Sequence, residues 1–325
     1  MKRRLILAIV VMVALAPQGL AAWNDTGHQL VARIAWDNLT DTTKQNAIAL
    51  LQAAPADACL LDLFPTDARP LDVRQRELFM RAATWSDIVR PKEEHDPRPC
   101  VRFNRPNWHF INFFWKGISG VTTGLNRPRD LTEPRTPELN IVERLGVLRP
   151  MTVCALPACG MPLDVRATLL AWILHLAGDI HQPLHTSARV TASPGEQTGD
   201  QGGNLFLLSA GPNPLRLHGY WDGIVDRGVP RVQNESDAAY LDRVAGLIVS
   251  EHPLTQVSAR LRPAQFEAWA LEGFATTKGS VYPITLQRGH LPSNDYQNRA
   301  LAISKEAIAI GGYRLADLLN TMFGS

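Results

Sequence analysis

The sequence predicts an all-α fold: a mainly helical single domain with long connecting loops. Apolar residues recur at helical spacing in most segments, as at Leu30 and Ile34, over 165–180 and over 241–249. Strand-like alternation is scarce, and the one short candidate is a small hairpin near 205–209.

Glycine and proline cluster between the helical segments, notably at 115–135, 191–204 and 210–214, and they predict the long loops there. No internal repeat or low-complexity linker divides the chain. About 300 residues can bury one large core or two modest ones. A single domain over 23–325 is the simpler interpretation.

The first residues have the pattern of a secretory signal: 2–4 are basic, 5–16 are apolar, and 19–22 form a small-residue exit. The apolar run is too short to cross a bilayer comfortably. Cleavage after Ala22 is predicted, although Leu20 is large for the −3 position, so a cut one residue earlier is the alternative. The mature protein is expected to be secreted or periplasmic, without a stable membrane anchor.

Signal removal changes the charge balance. Loss of the three basic residues Lys2, Arg3 and Arg4 takes the formal net charge from +2 to −1. Proteins that hold nucleic acid by counterion release alone normally carry a strong basic excess. The composition therefore argues against a polycationic DNA scaffold, and any affinity for nucleic acid should come from local sites or bound metal.

The chain contains four cysteines. In an oxidising compartment an even set predicts two disulfides, and the most local of the three pairings joins Cys59 to Cys100 and Cys154 to Cys159. A zinc site made of thiolates is the alternative.

The segment 175–185 carries the strongest chemical signal. His175 and Asp179 are four residues apart, so on a helix both project from one face. Pro183 should end or bend that helix and bring His185 round on the following loop. One histidine on an apolar helix is usually a core residue, but three histidines and an aspartate in eleven residues favour a metal site.

A second pair, His218 and Asp222, repeats the four-residue spacing. A capping or surface pair is its simplest alternative. Imidazole and carboxylate are the ligands that zinc takes when thiolates are absent. Two such pairs indicate more than one ion.

Three shorter elements complete the pattern. Two are Trp85-Ser-Asp87 with Arg90, and Trp108-His109. The third is Trp23 with Gly27-His28 at the predicted mature start, where a free amine and its own carbonyl can chelate a metal. Together, in this order, the motifs resemble the zinc-dependent single-strand-specific nucleases of the S1/P1 type, which share a fold with bacterial zinc phospholipases C.

The resemblance implies three zinc ions held by nine residues, and each position is filled here by an acceptable ligand type. The first ion would take Asp87, His109, His175 and Asp179. The second would take the amine and carbonyl of Trp23, His28 and the shared Asp179. The third would take His185, His218 and Asp222.

The resemblance also implies the chemistry. Two zinc ions bridged by Asp179 would lower the pKa of a shared water, so that hydroxide attacks phosphorus, while Asp87 is a ligand and Arg90 steadies the phosphoryl charge. Phe110 lies where the family stacks a base. Asn112 replaces an aspartate of the fungal enzymes, so base preference does not carry over. A salt bridge for Arg90 and core packing for Phe110 are the alternatives.

Three functions remain open from the sequence. The leading one is a secreted or periplasmic, monomeric zinc nuclease that cleaves single-stranded DNA and RNA to 5′-phosphorylated products, with 3′-nucleotidase activity. A zinc phospholipase C is the second, although its last ligand is a glutamate where this chain has Asp222, and Gly202-Gly203-Asn204 resembles the nuclease loop. A non-catalytic periplasmic zinc-binding protein is the third.

Overall fold

The computed structural model describes residues 23–118, 121–122, 140–154 and 160–324. The predicted signal over 1–22, Cys159 and most of the predicted 115–135 loop lie outside these ranges. Helix accounts for 62% of the structure and strand for 4%, which confirms the predicted all-α class. Among the described residues, no helix is both long enough and apolar enough to cross a bilayer.

The helices follow one another in this order: α1 (Asp25–Asp37), α2 (Asp41–Gln52), α3 (Leu71–Ala82), α4 (Trp85–Ile88), α5 (Ile141–Val153), α6 (Leu163–Asp179), α7 (Leu217–Asp222), α8 (Ile224–Gly228), α9 (Asp237–Glu251), α10 (Leu254–Val257), α11 (Phe266–Thr276) and α12 (Asn294–Phe323). Short 3-10 helices join several of them, and two of these, Pro106–His109 and Pro183–Thr186, carry predicted ligands.

Helix α6 is the centre of the core. Nearly every residue from Ala167 to Asp179 is buried, as expected for a helix that is apolar on all sides. It packs against α1, α2, α5 and α12, and α12 in turn lies along α1. The C-terminal end of α6 therefore places Asp179 deep inside the protein.

A small sheet lies beside the end of α6. Its strands are β1 (Phe113–Ile118), β2 (Val121–Thr122) and β3 (Ser187–Val190), in the order β2-β1-β3. β1 runs parallel to β3, with Phe113 opposite Ser187, and antiparallel to β2.

The sheet corrects one prediction and qualifies another. The predicted loop over 115–135 was wrong for 115–118, which belong to β1, and for 121–122, which form β2. Near 205–209 the chain forms an isolated antiparallel bridge between Leu207 and Arg216, so the predicted hairpin is present as paired backbone without regular strands.

The cysteine prediction is confirmed for one pair. Cys59 and Cys100 form a disulfide that closes a loop between residues 41 apart in the sequence. The bond ties the segment before α3 to the one that leads to His109. The second predicted pairing depends on Cys159, which is not among the described residues, and it stays a prediction.

Candidate metal centre

Eight of the predicted ligands come together as side chains at the C-terminal end of α6. They come from α1, α4, the 106–109 and 183–186 segments, α6 and α7. They form three groups, and within each group the ligand atoms lie within 4.8 Å of one another. The groups are His28, His175 and Asp179; Asp87, His109 and His175; and His185, His218 and Asp222.

Asp179 lies between the first two groups. Its Oδ2 atom is 2.9 Å from His109 Nδ1 and 3.1 Å from His175 Nε2, and its Oδ1 atom is 3.3 Å from His28 Nε2. The His28 and His175 rings stack with their centroids 3.9 Å apart. The shared carboxylate predicted from the resemblance thus touches an imidazole of each group, and His175 also takes part in both.

Backbone carbonyls fix the orientation of three of the imidazoles. The Nδ1 atoms of His175, His185 and His218 each donate a hydrogen bond of 2.7 Å, to Ala83 O, His109 O and Gly202 O respectively. A neutral ring whose Nδ1 carries the proton presents a lone pair at Nε2. When these three rings are neutral, as they must be to bind zinc, their Nε2 atoms face the groups as electron-pair donors.

In the third group, that of His185, His218 and Asp222, two of these Nε2 atoms face each other. His185 Nε2 and His218 Nε2 lie 3.1 Å apart, and His218 Nε2 is 3.7 Å from Asp222 Oδ2. Two lone pairs cannot hydrogen-bond to each other. A cation between the two nitrogens and the carboxylate resolves that conflict, so the residues fit a bound metal ion.

Unpaired buried atoms give a second test of that fit. Both ring nitrogens of His28, His109 Nε2, Asp179 Oδ1 and Asp222 Oδ2 are buried without a hydrogen-bond partner. A buried polar atom that has lost its hydrogen bonds to water and has no partner in the protein lowers the stability of the folded state. Nitrogen and carboxylate oxygen are the ligands of zinc in sites without thiolate, and the last turn of a helix favours a positive charge near Asp179.

Burial and neighbouring charges set the ionisation of the ligands. Burial lowers the pKa of His28, and it lowers that of His109 to about 4, so both rings are neutral near pH 7. Burial alone would raise the pKa of Asp179, but the His175 and His185 imidazoles hold it well below its usual value. Burial raises the pKa of Asp222 well above its usual value, so a neighbouring cation would favour its ionised form.

Arg90 lies at the edge of the second group. Its Nη2 atom is 2.7 Å from Asp87 Oδ1 and 3.0 Å from His109 Nδ1, and its Nε atom is buried without a partner. The salt bridge considered from the sequence is therefore present, but its acid is a predicted metal ligand. The guanidinium therefore borders the ligand groups directly.

The start of the described chain is held beside the third group. Trp23 is fully buried, and the backbone N–H of Asn24 donates to Asp222 O at 3.2 Å. The Asn24 side chain caps α1 by accepting from Gly27 N, and it donates to Asp226 Oδ2 at 2.5 Å. These contacts place the Trp23 backbone near the groups, while its role as a ligand remains a prediction.

The two predicted substrate-binding residues, Phe110 and Asn112, follow the predicted ligand His109 closely in the chain. Phe110 directly follows His109, and both Phe110 and Asn112 are half-buried. Phe110 is extended, with φ −149° and ψ 168°. It is thus not a fully buried core residue.

Sequence reasoning missed two residues that shape the site. Gln182 is fully buried; its Nε2 donates to Asp222 Oδ1 at 2.7 Å and its Oε1 accepts from Leu184 N at 2.6 Å. Gly178 allows α6 to approach α1, because a Cβ there would lie 2.6 Å from His28 Nδ1. The position of Gln182 between predicted ligands was the available signal for the first.

Known proteins share this chain's sequence pattern. The model of the S1/P1 Nuclease family matches residues 23–324. Endonuclease 2 of Arabidopsis thaliana is 28% identical over 160 residues, which cover 48% of this chain and 51% of that protein. Endonuclease 4 of the same plant is 27% identical over 161 residues, covering 48% and 50%. The matches thus span about half the length of these relatives.

Gln182 gives a direct test of how the third group is held. Gln182→Leu removes the donor that orients Asp222, and we expect it to weaken zinc binding about 10- to 100-fold at one site, the range typical of residues that support a ligand. Competition with a chromophoric chelator measures this. Gln256→Leu, at an exposed position on α10, is the matched control. Equal zinc affinity in the two variants would show that Asp222 is held by other contacts.

Proposed function

Because the chain belongs to the S1/P1 nuclease family, we propose that it is a zinc-dependent phosphodiesterase. Its proposed substrates are single-stranded DNA and RNA, cleaved to 5′-phosphorylated products, with 3′-nucleotidase activity on the same site. The observation that carries the proposal is the convergence of eight imidazole and carboxylate side chains in three groups, in which several buried nitrogen and oxygen atoms have no hydrogen-bond partner.

We propose three zinc ions, one at each group. Trp23, through its amine and carbonyl, would complete the group of His28 once the signal has been cleaved after Ala22. Bound there, zinc would supply Lewis acidity to a phosphodiester and make water a better nucleophile near neutral pH. Asp179 would serve two of the ions, since both its oxygens face imidazoles.

The remaining roles belong to side chains at the edge of the groups. Asp87 holds the Arg90 guanidinium at 2.7 Å, and Arg90 would bind a phosphoryl oxygen and stabilise the charge that develops on it. Phe110 would stack on an unpaired base, and Asn112 would contact that base with an amide that both donates and accepts. Base preference would then depend on which donors and acceptors of the base form hydrogen bonds with the Asn112 amide.

Export is proposed together with this activity. The disulfide between Cys59 and Cys100 is typical of an oxidising compartment, and S1/P1 nucleases are typically secreted. We therefore propose that the protein acts in the periplasm or outside the cell.

A three-substrate assay tests the proposed activity. Purified protein beginning at Trp23 is given single-stranded DNA, a 3′-nucleotide or phosphatidylcholine, each with and without a chelator. We expect chelator-sensitive hydrolysis of the first two. Release from the lipid alone would replace the nuclease with a phospholipase C. Zinc binding with no hydrolysis of any substrate would identify a zinc-binding protein.

His175 is the residue whose loss should matter most, since it lies in two of the groups. We expect His175→Ala to lower kcat/KM on single-stranded DNA by more than about 100-fold, the upper end for residues that only support a ligand, and to reduce the zinc content. His95→Ala, at an exposed position, should leave both unchanged. A near-normal rate for His175→Ala would refute the ligand assignment.

A further inference from the structure

The chain leaves His109 as an extended segment with two different faces. Burial alternates along it: Ile111, Phe113 and Trp115 are buried, whereas the residues between them are half-buried or exposed. Successive side chains of a strand point to opposite sides. The outer set, named here the β1 outer face, is Phe110, Asn112, Phe114 and Lys116.

The β1 outer face starts at the candidate metal centre and leads away from it. Ile111 N donates to His185 O at 2.9 Å, and His185 Nδ1 donates to His109 O at 2.7 Å. β1 and β3 then continue in parallel register to Lys116 and Val190. Two parallel segments that each begin at a predicted ligand thus fix the direction of this face.

The backbone of the neighbouring loop packs against Phe114 at Gly199. Gly199 has φ +109°, and a Cβ there would lie 3.0 Å from both Phe114 Cε1 and Ala188 Cβ. Only glycine readily adopts that conformation, and it supports the ring's edge while leaving the ring half-exposed.

The inner face of the same strand is different. The rings of Phe113 and Trp115 contact Phe274 and Tyr282, with centroids 5.3 Å and 5.7 Å apart. Within the part of the chain that the structure describes, no ring or cation stacks on Phe114. The Phe114 side chain is half-buried, so part of its surface is open to a ligand.

We propose that the β1 outer face is the path of the single-stranded substrate beyond the metal centre, with Phe114 as a second base-stacking platform and Lys116 as a phosphate contact. This inference rests on the proposed nuclease function. Phe110 and Phe114 are four residues apart along this extended segment, about 13 Å at strand spacing, a distance of about four stacked nucleotides and fewer extended ones.

The composition of the face favours nucleic acid over an apolar partner. An amide and an ammonium alternate with the two rings, so no continuous apolar surface forms. Single-stranded nucleic acid presents both flat bases and phosphates, and it is typically bound by aromatic rings interleaved with basic groups. The chain's formal charge after signal removal is close to neutral, so such local contacts are needed.

The test compares a long and a short substrate. A 3′-nucleotide can reach only the metal end, whereas a single-stranded decanucleotide can reach Phe114. For Phe114→Leu we expect the ratio of kcat/KM on the decanucleotide to that on the 3′-nucleotide to fall about ten-fold. Leu163→Ala, also the truncation of an apolar side chain, lies at the far end of α6, about 24 Å along the helix from Asp179, and should keep the wild-type ratio.

Lys116 gives an independent measurement at an exposed position. Lys116→Gln should reduce the slope of log KM against log salt on the decanucleotide by about 0.7, the value for one phosphate contact with a single strand. An unchanged slope would remove Lys116 from the path. An unchanged substrate ratio in a folded Phe114→Leu protein would remove the second platform.

Failure of the proposed nuclease function can be told apart from failure of the proposed substrate path. If the wild-type protein hydrolyses neither substrate, the nuclease proposal fails, and binding of a fluorescein-labelled decanucleotide followed by anisotropy then tests the path alone. Weaker binding by Phe114→Leu and a smaller salt slope for Lys116→Gln would support the path. Binding equal to that of the wild type would overturn it.

Discussion

The buried carboxylate of Asp179 is the constraint on which the rest of the site depends. It is the last residue of α6 and fully buried, at a helix end that already carries partial negative charge. Burying an ionised carboxylate there without a partner costs free energy. The chain surrounds it with His28, His109 and His175, brought from α1, the 106–109 segment and the preceding turn of α6. That arrangement fits a shared ligand between cations.

The fold controls the direction of the imidazoles through backbone carbonyls. Ala83, His109 and Gly202 accept hydrogen bonds from the Nδ1 atoms of three rings and turn each Nε2 atom inward. These carbonyls belong to separate parts of the chain, so the donor set exists only in the folded protein. Metal that binds this set would stabilise the folded state over the unfolded one, and metal binding and folding would be linked.

Ligand pairs within one helical turn could be predicted from the sequence, whereas contacts between residues far apart in the sequence could not. His175 with Asp179 and His218 with Asp222 share a helical turn, so spacing alone placed each pair on one face. Gln182 and Asp222 are 40 residues apart, and Asn24 and Asp226 are 202 apart. Such contacts depend on how helices pack, which periodicity does not specify. β1 was missed for the same reason, since its partner strand follows the ligand segment that ends at His185.

Anomalous diffraction at the zinc absorption edge, from crystals of the protein that begins at Trp23, tests the central claim most directly. Three peaks are expected, one at each group of ligands, with Asp179 between two of them. No peak, or a single peak away from Asp179, would contradict the account of a shared carboxylate in a multi-zinc site.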